Sequence, residues 1–197
     1  NHYLADDGSL STEGVPINPF DLVAELSASS TEQIVVLPLL HGPLGEDGTI
    51  QGLLEVLDVA YAGSGVLGSA LAMDKSMAKT IAASAGIPIP RYFTLTTADL
   101  QAMASIAQRV EHELGYPCFV KPANMGSSVG VSRVEGPQDL AAAVELAFTF
   151  DSSILVEEGI DGREIEVAVL GNESPIAFPP GEVIPADSFY SYSDKYL

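Results

Sequence analysis

The chain has 197 residues, 47% of them hydrophobic and 18% charged, with 8 Lys and Arg against 27 Asp and Glu for a formal net charge of −19 at pH 7. This is the composition of a globular chain long enough to bury a substantial core. It argues against nucleic acid and anionic membrane as partners, which both call for clustered Lys and Arg, and no apolar run reaches the roughly 20 residues that cross a bilayer.

The first residues lack the positive and apolar stretches of a secretory signal. A single cysteine, Cys118, cannot staple the chain internally and reads as a small buried hydrophobe. A cytoplasmic location is the expectation. Residues 34–38 form an apolar β-branched run that predicts a buried parallel strand. A Gly-rich loop, His41 to Gly48, follows. Ile50, Leu53, Leu54 and Leu57 then share one helical face behind Thr49 as N-cap. Residues 61–68 are again Gly-rich and mark a domain boundary.

A second helix is predicted from an Asp74 cap, with Met77 and Ile81 inward and Gly86 and Pro88 as its stop. A strand at 92–95 leads to a longer helix capped at Thr96 or Thr97, with Leu100, Met103, Ala107, Val110 and Leu114 inward. Gly115 and Pro117 end it. Residues 118–121 and 129–134 are strand-like, joined by a Gly/Ser turn. Pro137 opens a further helix with Leu140, Val144, Ala147 and Phe148 on one side. Residues 154–157 and 164–170 are two more strands, and the second alternates, with Ile165, Val167 and Val169 on one face. The expected domains are 1–63, 64–157 and 158–197. Both ends read as clipped, the first because no convincing strand precedes Ile34, the second because the chain stops just after a Tyr-rich loop.

The four lysines, at positions 75, 79, 121 and 195, are informative because they are scarce, and all but Lys79 fall inside motifs. The stretch from Lys121 to Gly130 ends a strand with a fixed cation and continues into Gly-Ser-Ser-Val-Gly. Such a loop offers backbone N–H groups and two hydroxyls to phosphate oxygens, although an ordinary hairpin turn would read the same. It is not a Walker A loop, which places Gly-Lys-Ser/Thr at a helix start. Between residues 154 and 164, two strands meet across a connector with carboxylates at both joints. There the backbone can read an adenine edge, Glu157 can accept from an exocyclic amine and Glu164 from ribose hydroxyls. A solvated acidic turn is the plainer alternative. The His41–Gly48 loop lies at the carboxyl end of a strand, where open α/β sheets bind ligands, but a lone His such as His41 is more often structural, and Glu46 and Asp47 could serve only the helix dipole. His2 and His112 have no partner spacing. The polar aromatic loop 189–196 is either a lid or a plain loop.

Taken in order, His-Gly-x-x-Gly-Glu-Asp-Gly at 41–48, Met73-Asp74-Lys75, Val-Lys-Pro-x-x-x-Gly-Ser-Ser-Val-Gly at 120–130, the Glu157–Glu164 connector and Tyr-x-x-Lys-Tyr at 192–196 resemble the D-alanine–D-alanine ligase family of the ATP-grasp superfamily. The resemblance runs from about Ile34 to Leu197. It implies an α/β (α+β) fold, an ATP-grasp unit preceded by an open Rossmann-like α/β domain, with the carboxyl-terminal part incomplete. It also implies ATP-dependent joining of two D-alanines through an acyl phosphate. Lys75, Lys121 and the Ser127–Ser128 loop would hold phosphates, and Glu157, the backbone at Ile160 and Glu164 would hold adenosine. Ser127, Tyr196 and His41 would orient the first D-alanine, and Lys195 would reach the transferring phosphate.

The implied ligands are ATP, D-alanine and Mg²⁺, and the implied full-length assembly is a homodimer. The family's Arg-x-Asp strand and Glu-x-Asn metal ligands are not found, so no metal ligand is assigned here, and the 197 residues alone are expected to be inactive. The family's Gly-Gly-x-Ser-x-Glu segment is not found before residue 34, and an acidic lid position is Ser191. The alternatives are a D-alanine–D-lactate or D-alanine–D-serine ligase, another ATP-grasp carboxylate–amine ligase, and an inactive nucleotide-binding fragment.

Overall fold

The computed structural model describes residues 34–184 in full. Before them it describes the backbone of three short strands, β1 (His2–Leu4), β2 (Leu10–Thr12) and β3 (Val15–Ile17), and residues 18 and 21. Lys195, Tyr196 and the rest of the aromatic loop lie outside the described residues. The chain divides into two units, 1–70 and 71–197.

In the first unit β1, β2 and β3 form an antiparallel sheet. β4 (Val35–Val36) pairs in parallel with β5 (Ala60–Tyr61) through α1 (Thr49–Val56), as the apolar run and helical spacing predict. Val35 and Leu37 are nevertheless exposed, because none of the described residues covers the outer side of this two-strand pair. The helix cap also differs from expectation. Gly48, at φ +93°, is the N-cap, and Thr49 is the first helical residue, its N–H donating to Asp47 Oδ1 at 3.0 Å. Only glycine fits there, since a Cβ would stand 2.7 Å from the Val66 carbonyl oxygen. α1 turns Leu54 and Gln51 inward.

The second unit is built on a four-stranded antiparallel sheet in the order β6-β9-β7-β8: β6 (Tyr92–Thr96), β9 (Ser153–Glu158), β7 (Cys118–Pro122) and β8 (Ser132–Val134). Alternation sends Phe93, Leu95, Cys118, Val120, Val134, Ile154 and Val156 to one face, where they form the core. Burial drives the Cys118 thiol up to about 11, so it is the inert hydrophobe its strand pattern suggested. Two helical segments close this face. One is α5 (Pro137–Phe148), with Pro137 in its first turn and Leu140, Ala143, Val144 and Ala147 buried.

The other is the predicted long helix, which proves to be three kinds of turn in succession. A 3₁₀ segment (Thr97–Ala102) is held by a Thr96–Asp99 capping box, α4 (Met103–Arg109) follows, and a π turn (Val110–Leu114) ends at Gly115, φ +79°. The tighter and wider turns adjust the phase so that Leu100, Met103, Ile106, Val110 and Leu114 all reach the same core.

The division at residue 70 falls within α2 (Val66–Met73), and α3 (Lys75–Ser84) opens the second unit. Asp74 caps α3 as predicted, accepting from Ser76 N at 2.8 Å and Met77 N at 3.0 Å. The inward face of α3 is not the predicted one: Met77 is 48% and Ile81 46% exposed. Lys75, Ser76, Ala78, Lys79 and Ala82 are the half-buried positions instead, because the helix docks through its lysines. The expected strand 164–170 is also broken, into β10 (Glu164–Glu166) and β11 (Val169–Leu170). Their antiparallel partners are β13 (Gly181–Val183) and β12 (Ile176–Ala177), which Pro179-Pro180 interrupts by removing two N–H donors.

Candidate functional site

Residues of β7 and β9 that do not enter the core point to the opposite face of the sheet. Register places Tyr92 and Phe119 on either side of Glu157, and Lys121 beside Leu155. Glu157 therefore emerges between two aromatic neighbours, with 9% of its side chain exposed. Its carboxylate is held from both sides. Lys121 Nζ donates to Oε1 at 2.6 Å, and Lys79 Nζ from α3 forms an ion pair with Oε2 at 2.5 Å. The two ammonium groups also lie over rings, Lys79 at 5.4 Å from the Tyr92 centroid and Lys121 at 5.5 Å from that of Phe119.

Lys75 ties α3 to the Gly/Ser loop. Its backbone N–H donates to the Ala123 carbonyl at 3.1 Å, and its Nζ to the carbonyls of Ala123 (3.3 Å) and Met125 (2.5 Å). Burial, with the neighbouring Lys121 charge adding to it, brings the Lys75 ammonium down to about 8. Asp151 fixes the same loop from the turn before β9, accepting from Asn124 N (2.7 Å) and Nδ2 (3.0 Å) and from Ser153 N (3.2 Å).

Beyond Asn124 the backbone departs from ordinary conformations. Ser127 (φ +51°) and Ser128 (φ +58°) are consecutive left-handed residues, followed by Gly130 at φ +70°. This is why β8 begins at Ser132 and not at Val129. Non-glycine residues held there carry about 1–3 kcal/mol of strain each, a feature concentrated at ligand clamps. A Cβ on Gly130 would meet Phe150 at 2.6 Å and Pro122 at 2.8 Å, so the loop is pinned at its end as well as its start.

The structure thus brings Lys75, Lys121, Glu157 and the Ser127–Ser128 loop into one neighbourhood. It adds Lys79, which sequence motifs did not single out. The available signal was its position one helical turn after Lys75, on the same face. Glu164 sits exposed on β10 opposite Val183, and Ile160 is 64% exposed, with no backbone hydrogen bond among the described residues. The connector leaves the sheet in a defined direction, since Gly159 N donates to the Pro117 carbonyl at 2.9 Å, and a Cβ there would stand 2.5 Å from that oxygen.

His41 is exposed on the loop of the first unit. The acidic pair beside it folds that loop: Glu46 accepts from Gly42 N, and Asp47 from Leu44 N (2.8 Å) and Thr49 N. Burial works to raise the Asp47 carboxyl, but these hydrogen bonds outweigh it and hold it below its ordinary value. No group of three or more His, Cys, Asp or Glu among the described residues is placed to hold a metal ion. No described helix is long and apolar enough to cross a membrane.

Comparison with known proteins accounts for this arrangement. Residues 81–197 match the family described as "D-ala D-ala ligase C-terminus", and residues 12–64 match "D-ala D-ala ligase N-terminus". A D-alanine–D-alanine ligase of Bacillus velezensis is 56% identical over 163 residues, 82% of this chain and 46% of that protein. The solved D-alanine–D-alanine ligase of Coxiella burnetii superposes with a TM-score of 0.71 at 42% identity, covering 77% of this chain and 42% of its own. The VanG D-Ala:D-Ser ligase of Enterococcus faecalis gives 0.73 at 40% identity, covering 83% and 47%.

The mixed helix and sheet is therefore an ATP-grasp fold. The chain belongs to the D-alanine–D-alanine ligase family. It spans 45–54% of the length of the curated relatives it matches.

Proposed function

We propose that the protein carrying these residues joins two D-alanines at the expense of ATP. The γ-phosphoryl group passes to the carboxylate of the first D-alanine, leaving ADP and an acyl phosphate. The amine of the second attacks that carbonyl, forming the peptide bond and releasing inorganic phosphate and a proton. The observation that carries this reading is the convergence of Lys75, Lys79 and Lys121 on one face of the sheet, next to a strained, donor-bearing serine loop, in a chain of net charge −19. Polyphosphate needs local cations in so acidic a protein, and three of its four lysines are gathered here.

In this reading Lys75 and Lys121 hold phosphate oxygens and Ser127 and Ser128 close over them. Catalysis comes from positioning and charge stabilisation, as phosphoryl transfer requires. Lys121 keeps two donors after its bond to Glu157. Glu157, the backbone at Ile160 and Glu164 take adenosine, while Ser127, Tyr196 and His41 orient the first D-alanine and Lys195 meets the transferring phosphate. Mg²⁺ would screen the triphosphate. The described residues offer it no cluster of ligands, and none of the roles above depends on it. The domains are 1–63, 64–157 and 158–197, and the full-length protein is a cytoplasmic homodimer.

The curated relatives named D-alanine–D-alanine ligase favour D-alanine as second substrate over D-serine or D-lactate. The test is phosphate release by the full-length protein with ATP, Mg²⁺ and D-alanine, repeated with D-serine or D-lactate as the second substrate. Lys121→Ala should abolish release. Ser127→Ala should raise the D-alanine requirement more than the ATP requirement. Wild-type kinetics in Lys121→Ala would remove the phosphate role.

A further inference from the structure

We infer that Lys79 is a positioning residue that, acting through Glu157, makes the nucleotide site select a purine bearing an exocyclic amine. The inference rests on the reading of Glu157 as the acceptor for that amine. A carboxylate held at one oxygen can still swing about its last torsion, which is broad and roughly two-fold. Here Lys121 holds Oε1 at 2.6 Å and Lys79 holds Oε2 at 2.5 Å, so the plane of the group is set by two cations on different elements, β7 and α3. Lys79 is itself confined, with 16% of its side chain exposed and its ammonium over the Tyr92 ring.

Oε2 is buried beside Lys79 as an ion pair without a hydrogen bond, Oε1 keeps lone-pair capacity after its bond to Lys121, and the group has no proton to give. A ligand atom meeting it must therefore be a donor. An amino group at the purine 6-position satisfies it. A carbonyl oxygen at the same position would face an anionic carboxylate with no hydrogen between, the arrangement by which a hydrogen-bonding site rejects an analogue lacking the right group. Without Lys79 the carboxylate keeps only the Lys121 contact. It is then free to turn away from the ligand, and discrimination is lost before binding is.

The competing role for Lys79 is simple attachment of α3 to the sheet, which would change stability but not base preference. The discriminating experiment is steady-state kinetics of the full-length protein with ATP and with inosine triphosphate, which carries a carbonyl where ATP carries the amine. Wild type should prefer ATP at least tenfold in kcat/KM. Lys79→Met should lower that preference to threefold or less, read as the ratio of the two kcat/KM values whatever the variant's rate with ATP itself. Lys79→Arg, which keeps a cation on Oε2, should restore it. Should the methionine variant not fold, Lys79→Gln carries the same test, with a loss of at least threefold expected. A wild-type protein indifferent to the two nucleotides overturns the Glu157 reading and this inference with it. A wild type that discriminates and a Lys79→Met that discriminates equally overturn only the role of Lys79.

Discussion

Val156 and Glu157 are neighbours on β9 and both are almost fully removed from water, yet they end on opposite faces of one sheet under opposite rules. On the Val156 face, α5 and the 3₁₀–α–π segment close over a continuous apolar layer, and every contact is as good as its area and packing. On the Glu157 face, α3 brings lysines, and burial is tolerated because the carboxylate is neutralised by Lys79 and Lys121. The first arrangement has nothing to exchange with a ligand. The second is built of charges whose remaining hydrogen-bonding capacity a nucleotide can use. A single pleat separates the part that keeps the unit folded from the part that gives it chemistry.

The contrast can be broken most severely on the core face. Ile154→Ala should destabilise the second unit by about 2–5 kcal/mol, read from urea or thermal unfolding, because a fully buried side chain is replaced by a cavity. On the other face, Lys121→Ala should cost only about 1 kcal/mol of stability, since Glu157 retains Lys79, but should weaken ATP binding about 10- to 150-fold. Titration with a fluorescent ATP analogue, set beside the unfolding curves, checks both halves. Equal effects of the two substitutions on stability would mean that the faces are not energetically distinct.

A subtler effect follows from Lys75, which titrates near 8 in the folded chain against an ordinary value of 10.5. Between those values the unfolded chain binds more protons than the folded one, so stability rises with pH across that window, and the penalty of the buried charge is fully present below about pH 8. Over the same window the proposed phosphate site loses a cation, so ATP affinity should fall while stability climbs. Paired binding and unfolding measurements at pH 7.5 and 10 should show the two trends crossing, and Lys75→Met should flatten the stability trend. The smallest effect belongs to the outward side of α3. Met77→Ala should change stability by less than about 0.5 kcal/mol, as an exposed position does. A loss above 2 kcal/mol in the full-length protein would mean that this side is covered there.

Much of this was legible before any coordinates. Residues 118–121 and 154–157 were readable as strands, and a strand of itself sends Val120 and Val156 to one side and Lys121 and Glu157 to the other, because side-chain direction in a strand is a local property of the backbone. Asp74 and Pro137 announced their helix starts for the same reason, a cap or a fixed φ acting within one turn. The Lys121–Gly130 motif marked a loop of unusual donor content, but not that Ser127 and Ser128 would both be left-handed, which depends on Gly130 being wedged against Phe150 and Pro122 and on Lys75 and Asp151 gripping its start.

The inward face of α3 was misread because its apolar spacing, Met77 and Ile81, and its basic spacing, Lys75 and Lys79, repeat with the same helical period. Periodicity alone identifies a face without saying what lies across from it. Local rules thus determined the helix starts at Asp74 and Pro137 and, within a strand, the direction of each side chain. The partner of Lys79, the phase shifts in the segment after Thr96 and the break within 164–170 were decided by tertiary structure. Each depends on a group distant in sequence, a carboxylate, a core layer or a proline-interrupted strand, whose position exists only once the chain has folded around it.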